Sequence, residues 1–554
     1  MRLSRSTIIL LIILIFAAAL RFYRIDAQSF WNDEGNSARI AERSLQLITE
    51  GAAGDIHPPL YYYVLHFWRG AFGSSELALR SLSAILGIAL VWLTYLIAKR
   101  LFDVKIGLIA VLVAAIDPFQ IYYSQEARMY MLLAVIGAAS TLVLIQLLER
   151  WGSAYQPISQ SVNQGAQQKI TSSPFHLFIL SLLYALGLYT HYAFPFVIVT
   201  HFLIVIAWAL TDRRRLLRHV LIWIGIGAAA GVLFSPWLPI AIRQITTWPS
   251  TRVAIDTGAM LLDTLRLYVL GPTFPTADAT IALLIAGFLV IVSLWNPDSF
   301  DEPQVDATHP LPHALRSGSI VLWWLIPIAL IFGFGLFKES YLKFLLIGSP
   351  AFCILLGRGI LTGFGIARNA LQMPKELAGT PLLSFGWSIV MIFLVVLIAL
   401  PTTTALANYY FDPKYARDDY RGIAQTITSL QRDGDAVILD SANQWEVFTY
   451  YYPDGPNVFP LPKQRPIDQA AVEAQLSDIA AKYKRLFVLY WGDSEADPQR
   501  VIESWLDGHT YKAPELLYGS VRFVAYAVPS ILSDKPTQLS GARFGDHIIL
   551  NGYT

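Results

Sequence analysis

Hydrophobic positions in this chain gather into long unbroken runs, not the alternation or narrow stripes of a water-soluble fold. Runs near 5–22, 80–98, 106–118, 128–148, 175–192, 194–210, 219–240, 278–295, 318–337, 342–362 and 381–402 are each read as a helical crossing of the roughly 30 Å hydrocarbon layer. After Pro401 the pattern changes. "DYRGIAQTITSLQRDG" sets Tyr420, Ile423, Ile427 and Leu430 at helical spacing. "DAVILDS", "RLFVLYWG" and "RFVAYAVP" read as short buried strands, separated by helical patterns such as "DQAAVEAQLSDIAAKYK". Such alternation predicts a small α/β domain. The expected fold is therefore a polytopic α-helical membrane protein over 1–405, with surface helices in its first outer loop and an extracytoplasmic α/β domain over 406–554.

Composition agrees. Of 554 residues, 55% are hydrophobic and only 15% charged, where a soluble protein carries roughly 25% charged residues; mean hydropathy is +0.48. A net charge of +1 gives no sign of a nucleic-acid partner. The single cysteine, Cys353, allows no disulfide within the chain.

The N-terminal "MRLSRSTIILLIILIFAAALRF" has features of a secretory signal, but its long apolar run favours an uncleaved first span. Arg2 and Arg5 then stay on the cytoplasmic side. The basic turn "TDRRRLLRH" is the strongest orientation mark, and Lys99, Arg100 and Lys105 agree with it. Arg39, Arg43 and Arg69 in the first outer loop run against the rule, although long loops cross regardless of charge. An odd number of spans places everything after Pro401 outside, in a plasma or inner membrane. The polar stretches "SAYQPISQSVNQGAQQKITSSP" and that following Trp295 are expected to be cytoplasmic linkers. "GIGAAAG" imitates a dinucleotide loop but lies inside an apolar run. There Gly227 and Gly231 are expected to let helices approach closely.

The chemistry concentrates in the loop after the first span, "SFWNDEGNSARIAERSLQLITEG". Ala38, Ala41, Leu45 and Ile48 share one face of a predicted surface helix. Asp33 and Glu34 stand at its start, where the helix dipole favours acids, which is one of two readings of them, the other being a functional site. In "GDIHPPLYYYVLHFWRGAFG", two prolines fix an extended lead into an aromatic segment. An interfacial aromatic belt explains Tyr61 to Tyr63 but not His57 and the prolines. In "IDPFQIYYSQEARMYMLL", Glu126, Arg128 and Tyr130 stand where a span re-enters the bilayer. Such charges can snorkel, yet ionisable groups facing a bundle interior are functional candidates.

The order "WNDEG", "HPPLYY", "YSQEARMYML", "LYTHYAF" and "YLKFLLIGSPAFCILLGRG" resembles the bacterial GT-C membrane glycosyltransferases. These are the glycosyltransferase 39-like group of protein O-mannosyltransferases and aminoarabinose transferases of lipid A. The resemblance covers roughly residues 1–400. It departs at Lys343-Phe344, where many relatives have Arg-Tyr; a cation is kept but a bidentate grip on phosphate is lost. The resemblance implies hexosyl or pentosyl transfer from a polyprenyl-phosphate sugar to a lipid, glycan or protein acceptor on the outer face. It implies Asp33 as general base and Arg128 and Lys343, with Tyr130, at the donor phosphate. Glu34 would orient the acceptor, and His57, Tyr61, Glu126, His191 and Tyr192 would line the substrate site. A base of this kind contributes about 10²–10⁴ in rate. Phosphate leaves as a stable anion, so the acid–base pair of glycoside hydrolysis is not needed, and a single displacement predicts inversion. No cofactor is expected. Asp33, Glu34, Asp55 and His57 could ligate a divalent metal but lack the tight spacing of a metal motif. Two other classes compete. A transporter or lipid-linked-sugar flippase would carry polar groups near the midplane on interrupted helices. A surface receptor presenting the α/β domain leaves the ordered motifs unexplained.

Overall fold

In lipid a lone apolar segment satisfies its backbone only as a helix, and all eleven runs form helices. The computed structural model describes residues 3–153, 174–210, 216–247, 256–295, 309–336, 339–372, 381–453, 455, 457–464, 466–529, 538–544 and 548–553. Its helices in the first four hundred positions begin with α1 (Arg5–Phe22), α2 (Asn32–Ala41), α3 (Leu45–Gly54), α4 (Leu60–Phe72) and α5 (Glu76–Leu101). There follow α6 (Val104–Ile116), α7 (Pro118–Ser124), α8 (Tyr130–Ser153), α9 (Pro174–Thr190) and α10 (Pro195–Ala209). Next come α11 (Leu216–Phe234), α12 (Leu238–Thr247), α13 (Thr257–Leu270) and α14 (Thr280–Leu294). Then α15 (His313–Gly333), α16 (Ser349–Gln372) and α17 (Pro381–Phe411) complete this part. Among the described residues seven helices are long and apolar enough to cross a membrane, or eight if α6 and α7, bent by 56°, count as one span. The apolar helices α9, α10 and α14 are shorter, at 17, 15 and 15 residues.

The bend is held by side chains. Asp117 accepts from the Phe119 N–H at 3.0 Å, with Pro118 at the first position of α7, a pre-organised helix start. Arg21, fully buried, donates to the Ala114 and Ala115 carbonyls at 3.1 and 3.0 Å and so caps the end of α6.

Three expectations need correction. The first loop does not carry one surface helix over 38–48; Ser44 caps a second helix by accepting from the Leu47 N–H at 3.4 Å, which splits the run into α2 and α3. Tyr61 and Tyr62 are wholly buried in α4, so a headgroup belt does not describe them. Gly227 and Gly231 do lie within a helix, α11, but among the described residues a methyl group at either would meet nothing within 4 Å, so neither makes room for a described neighbour. The two linkers and most of the 211–219 turn fall outside the described residues.

The chain divides into two compact units, one of Met1–Ile25 with Ala41–Tyr415 and one of Asp26–Ile40 with Ala416–Thr554. The second unit is α/β. Its strands are β1 (Asp435–Asp440), β2 (Val458–Leu461), β3 (Arg485–Tyr490), β4 (Tyr511–Lys512), β5 (Leu516–Tyr518) and β6 (Val521–Ala527), ordered β2-β1-β3-β6-β4 with β5 also on β6. β1 runs parallel to β2 and β3, and β6 antiparallel to β3. The helices α18 (Tyr420–Leu430), α19 (Trp445–Tyr451), α20 (Gln469–Ala480) and α21 (Val501–His509) accompany this sheet. Ile438, Leu476, Leu486, Val488, Ile502 and Val524 form part of its dry core. A separate hairpin joins β7 (Gln538–Phe544) and β8 (Ile548–Tyr553).

Candidate active site

In the first unit, α3 ends at Asp55, whose N–H donates to the Gly51 carbonyl at 3.0 Å. Two prolines then forbid continuation and start α4. The last carbonyls of α3 are taken up from α12: Gln244 Nε2 donates to Ala52 at 2.7 Å, and Arg243 Nη2 to Ala53 at 2.7 Å. The held turn places Asp55 Oδ2 at 3.2 Å from His57 Nδ1 and within 3.4 Å of the Tyr62 hydroxyl, which donates to it. Burial pushes the Asp55 carboxyl up, but the hydrogen bond and charge of His57, with the charge of Arg128, outweigh it and hold the group below its ordinary range. Asp55 thus steers His57, binding the ring at Nδ1.

His57 is buried, with its ring centroid 5.6 Å from that of His191. His191 sits in the turn between α9 and α10, where Nδ1 accepts from the Ala193 N–H at 3.0 Å. A ring nitrogen that accepts is unprotonated, so the proton of the neutral ring belongs on Nε2. With Nδ1 accepting, the ring is neutral and donates through Nε2.

Arg128 and Tyr130 come from the turn that opens α8. The Arg128 N–H donates to the Glu126 carbonyl at 2.7 Å. Gln125 is anchored by donating to the Arg21 and Tyr23 carbonyls, both at 2.9 Å. The Arg128 guanidinium lies 5.9 Å from the Tyr130 ring centroid, and Lys343 Nζ lies 4.7 Å from the same centroid. Both distances fall in the range of cation–π attraction. Tyr130 is 1% exposed and its hydroxyl has no hydrogen-bond partner among the described residues. Leaving such a group unsatisfied costs about 1–3 kcal/mol. Phe344 completes the wall, 4.4 Å from His191 and 6.4 Å from Tyr130 by ring centroids. Phe344 thus covers His191 with an aromatic ring that carries no hydroxyl.

The structure gathers His57, Arg128, Tyr130, His191 and Lys343 in one unit. Tyr61 and Glu126 are buried in the same unit. Tyr192 is engaged otherwise: its hydroxyl donates to Gln244 Oε1 and accepts from Trp237 Nε1 at 3.0 Å. Gln244 was not assigned a role from sequence; Asp55 was considered there only as a candidate metal ligand, and Phe344 only as part of a departure from the Arg-Tyr of the resembled family.

Asp33 and Glu34 belong to the second unit, in the first turn of α2. They differ sharply in surroundings. Asp33 is half-buried, whereas Glu34 is fully buried and its Oε2 accepts from Arg417 Nη1 at 3.0 Å. Successive helical residues project about 100° apart, so burying one leaves the other on a different side. Among the described residues no three of His, Cys, Asp and Glu come together in a way that could hold a metal ion.

Residues 56–158 match the family described as dolichyl-phosphate-mannose-protein mannosyltransferase. No curated protein matches the chain. The structure is similar to the apo crystal structure of ArnT from Cupriavidus metallidurans, at TM-score 0.57 and 13% identity over 96% of this chain and 100% of that one. It is also similar to the archaeal oligosaccharyltransferase AglB from Archaeoglobus fulgidus in complex with an inhibitory peptide and a dolichol-phosphate. There the TM-score is 0.55 and the identity 12%, over 96% of this chain and 75% of the other. A second ArnT structure, bound to undecaprenyl phosphate, gives 0.55 and 13%. At such identities the likeness concerns the fold, and the fold is that of the GT-C membrane enzymes.

Proposed function

We propose that this chain is a membrane glycosyltransferase that moves a sugar from a polyprenyl-phosphate carrier to an acceptor hydroxyl or amine at the outer face of the membrane. The observation that carries this reading is the convergence of Lys343 and Arg128 on Tyr130, whose buried hydroxyl has no partner among the described residues, beside the neutral donor His191. A phosphate oxygen is the group such a set would accept, since preorganised donors and cations in a dry site stabilise developing negative charge. Similarity to ArnT bound to undecaprenyl phosphate and to AglB with dolichol-phosphate supports the choice of carrier.

In this mechanism the acceptor oxygen or nitrogen attacks the anomeric carbon as Asp33 takes its proton. The bond between that carbon and the phosphate oxygen breaks, and the electron pair leaves with the polyprenyl phosphate. Lys343, Arg128 and Tyr130 receive the charge. His57, steered by Asp55, and His191 face the sugar. One displacement inverts the anomeric centre.

The transporter reading has one observation in its favour, the interrupted pair α6 and α7. That break is closed on itself by Asp117, Pro118 and Arg21, whereas a transport site would leave such termini for its substrate. The test is to incubate the purified protein with a panel of polyprenyl-phosphate sugars and read product masses. Sugar transfer is expected from the parent chain, with none from Asp33→Asn at equal expression. Undiminished transfer by Asp33→Asn removes that base, and movement across sealed vesicles without a change in covalent mass establishes a transporter.

A further inference from the structure

We propose that the C-terminal α/β domain sets the position of Asp33, and that Glu34 is not an acceptor contact but a buried anchor through which Arg417 holds α2. The inference rests on the reading of Asp33 as the base.

Sequence places Asp33 and Glu34 in a loop between the first span and α4, some 380 residues before the tail. Yet residues Asp26–Ile40 form one compact unit with Ala416–Thr554. The attachments are specific and surround the start of α2. Ser29 Oγ donates to the Asp418 carbonyl at 2.8 Å, and the Phe30 N–H donates to the Tyr451 hydroxyl at 2.6 Å. Arg421 Nη2 donates to the Asp26 carbonyl at 3.0 Å, and the Arg417 N–H donates to Gln28 Oε1 at 2.9 Å. The Phe30 ring packs on Tyr450 at 5.1 Å between centroids. One turn into the helix, a Cβ at Gly35 would overlap Val447 of α19, so glycine lets the two helices touch backbone to side chain. Further along, Arg39 Nε lies 3.8 Å from Glu446 Oε2.

At the centre of these contacts is the Glu34–Arg417 pair. Its side chains are 0% and 9% exposed, and the guanidinium also lies 5.8 Å from the Trp31 ring centroid. A carboxylate is withdrawn from water at great cost unless it is paired and hydrogen-bonded. Here the cation that makes burial tolerable comes from the far end of the chain. With Glu34 turned into the domain, the rotation of α2 about its axis is fixed, and Asp33, about 100° further round, is fixed with it. A buried ion pair of this sort serves to specify one arrangement. Arg417 is thus a positioning residue, acting on the reaction through α2 and not by touching substrate.

The experiment compares Glu34→Gln, Arg417→Gln and the double variant with the parent chain, measuring kcat and KM for donor and acceptor. Each single variant is expected to lower kcat about 10–100-fold, the cost of a base displaced by an ångström or so, with both KM values little changed. The double variant should be no worse than either single one, and Arg417→Lys should recover part of the loss. A rise in acceptor KM from Glu34→Gln alone, adding independently to the effect of Arg417→Gln, makes Glu34 an acceptor contact and overturns the proposal. Hydrogen exchange over 29–41 supplies a readout free of activity. Exchange there should quicken in Arg417→Gln, and unchanged protection also overturns the proposal. Full activity of Asp33→Asn alongside quickened exchange means instead that α2 is held as described but does not carry the base.

Discussion

Two clusters of cations on aromatic rings, one in each unit, use the same residue types to opposite ends. In the α/β unit Arg522 lies 4.6 Å from the Tyr490 ring centroid and donates to both oxygens of Glu503, at 3.2 and 2.9 Å. Lys512 donates to Glu503 at 2.9 Å and to Asp507 at 3.2 Å. The hydrogen bond from Arg522, working against burial and helped by Lys512, holds the Glu503 carboxyl down to about 2. In the membrane-spanning unit Lys343 and Arg128 rest on Tyr130, and the acid that feels the Arg128 charge, Asp55, is bonded to His57. The first cluster closes on itself. The second surrounds a buried hydroxyl that nothing in the described chain satisfies. A closed network stabilises a fold, whereas an incomplete one marks where a ligand completes it.

The comparison breaks most visibly at Lys343. Lys343→Ala is expected to reduce kcat/KM for a polyprenyl-phosphate sugar about 10–100-fold, equivalent to roughly 1.4–2.8 kcal/mol, with Lys343→Arg retaining most of it. Hydrogen exchange in β1 and β3 should not change. Unaltered donor kinetics would show that the ring-borne cation serves only packing. Tyr130→Phe sharpens the same point. Removing a hydroxyl with no partner among the described residues should leave the fold as stable or slightly more so, while donor use falls about tenfold, the value of one modest hydrogen bond. A variant both fully active and more stable makes that hydroxyl a tolerated defect.

The converse test lies at Arg522. Arg522→Ala removes two charge-assisted bonds from a mostly buried carboxylate and should weaken the α/β unit by about 2 kcal/mol, read as faster exchange in β3 and β6. Transfer should change far less than it does in Lys343→Ala. The pH dependence has a definite sign. The folded Glu503 carboxyl, at about 2, lies below its ordinary 4.5, so its contribution is present above pH 4.5 and is lost as pH falls towards 2. Arg522→Ala should remove most of that acid sensitivity; an unchanged acid transition assigns it to other carboxylates.

What sequence made legible follows from how strongly the surroundings constrain each residue. Runs destined for lipid have a single backbone solution, so each of the eleven predicted runs is a helix, including the short α9, α10 and α14, whereas α13 lay outside them. β1 is buried at all six positions and β3 nearly so, which leaves an unbroken apolar signature. The edge strand β2 and the exposed β4 and β5 leave none. At the site, His57, Arg128 and Tyr130 stood out as polar or charged positions flanking apolar runs, whereas His191 and Lys343 were named only through the resemblance to the glycosyltransferases. Their partners did not. Glu34 and Arg417 are 383 positions apart, and no spacing rule reaches across that distance. Gln244, which ties Tyr192 to the end of α3, reads in sequence as one polar residue of an amphipathic helix.

The smallest expected effect concerns Asp440, the last residue of β1. It is 1% exposed, and its Oδ1 has no hydrogen-bond partner among the described residues. Burial, then the charges of Asp497, Asp493 and Glu503, push its carboxyl up to about 8 against the pull of Arg522. Here the sign is reversed from Glu503. The folded unit keeps a proton that the unfolded chain gives up near its ordinary 3.8, so the stabilisation is complete below that pH and drains away as pH rises towards 8. Asp440→Asn holds the neutral form at every pH. It should therefore flatten the decline in stability between pH 5 and 9 and, at the alkaline end, protect β1 by about 1 kcal/mol, the worth of roughly one pKa unit. Hydrogen exchange of Asp435–Asp440 across that range measures it in the full chain. Parallel profiles for parent and variant would mean that Asp440 ionises without cost, and that the neighbouring Arg522 network is open enough to accept a further charge.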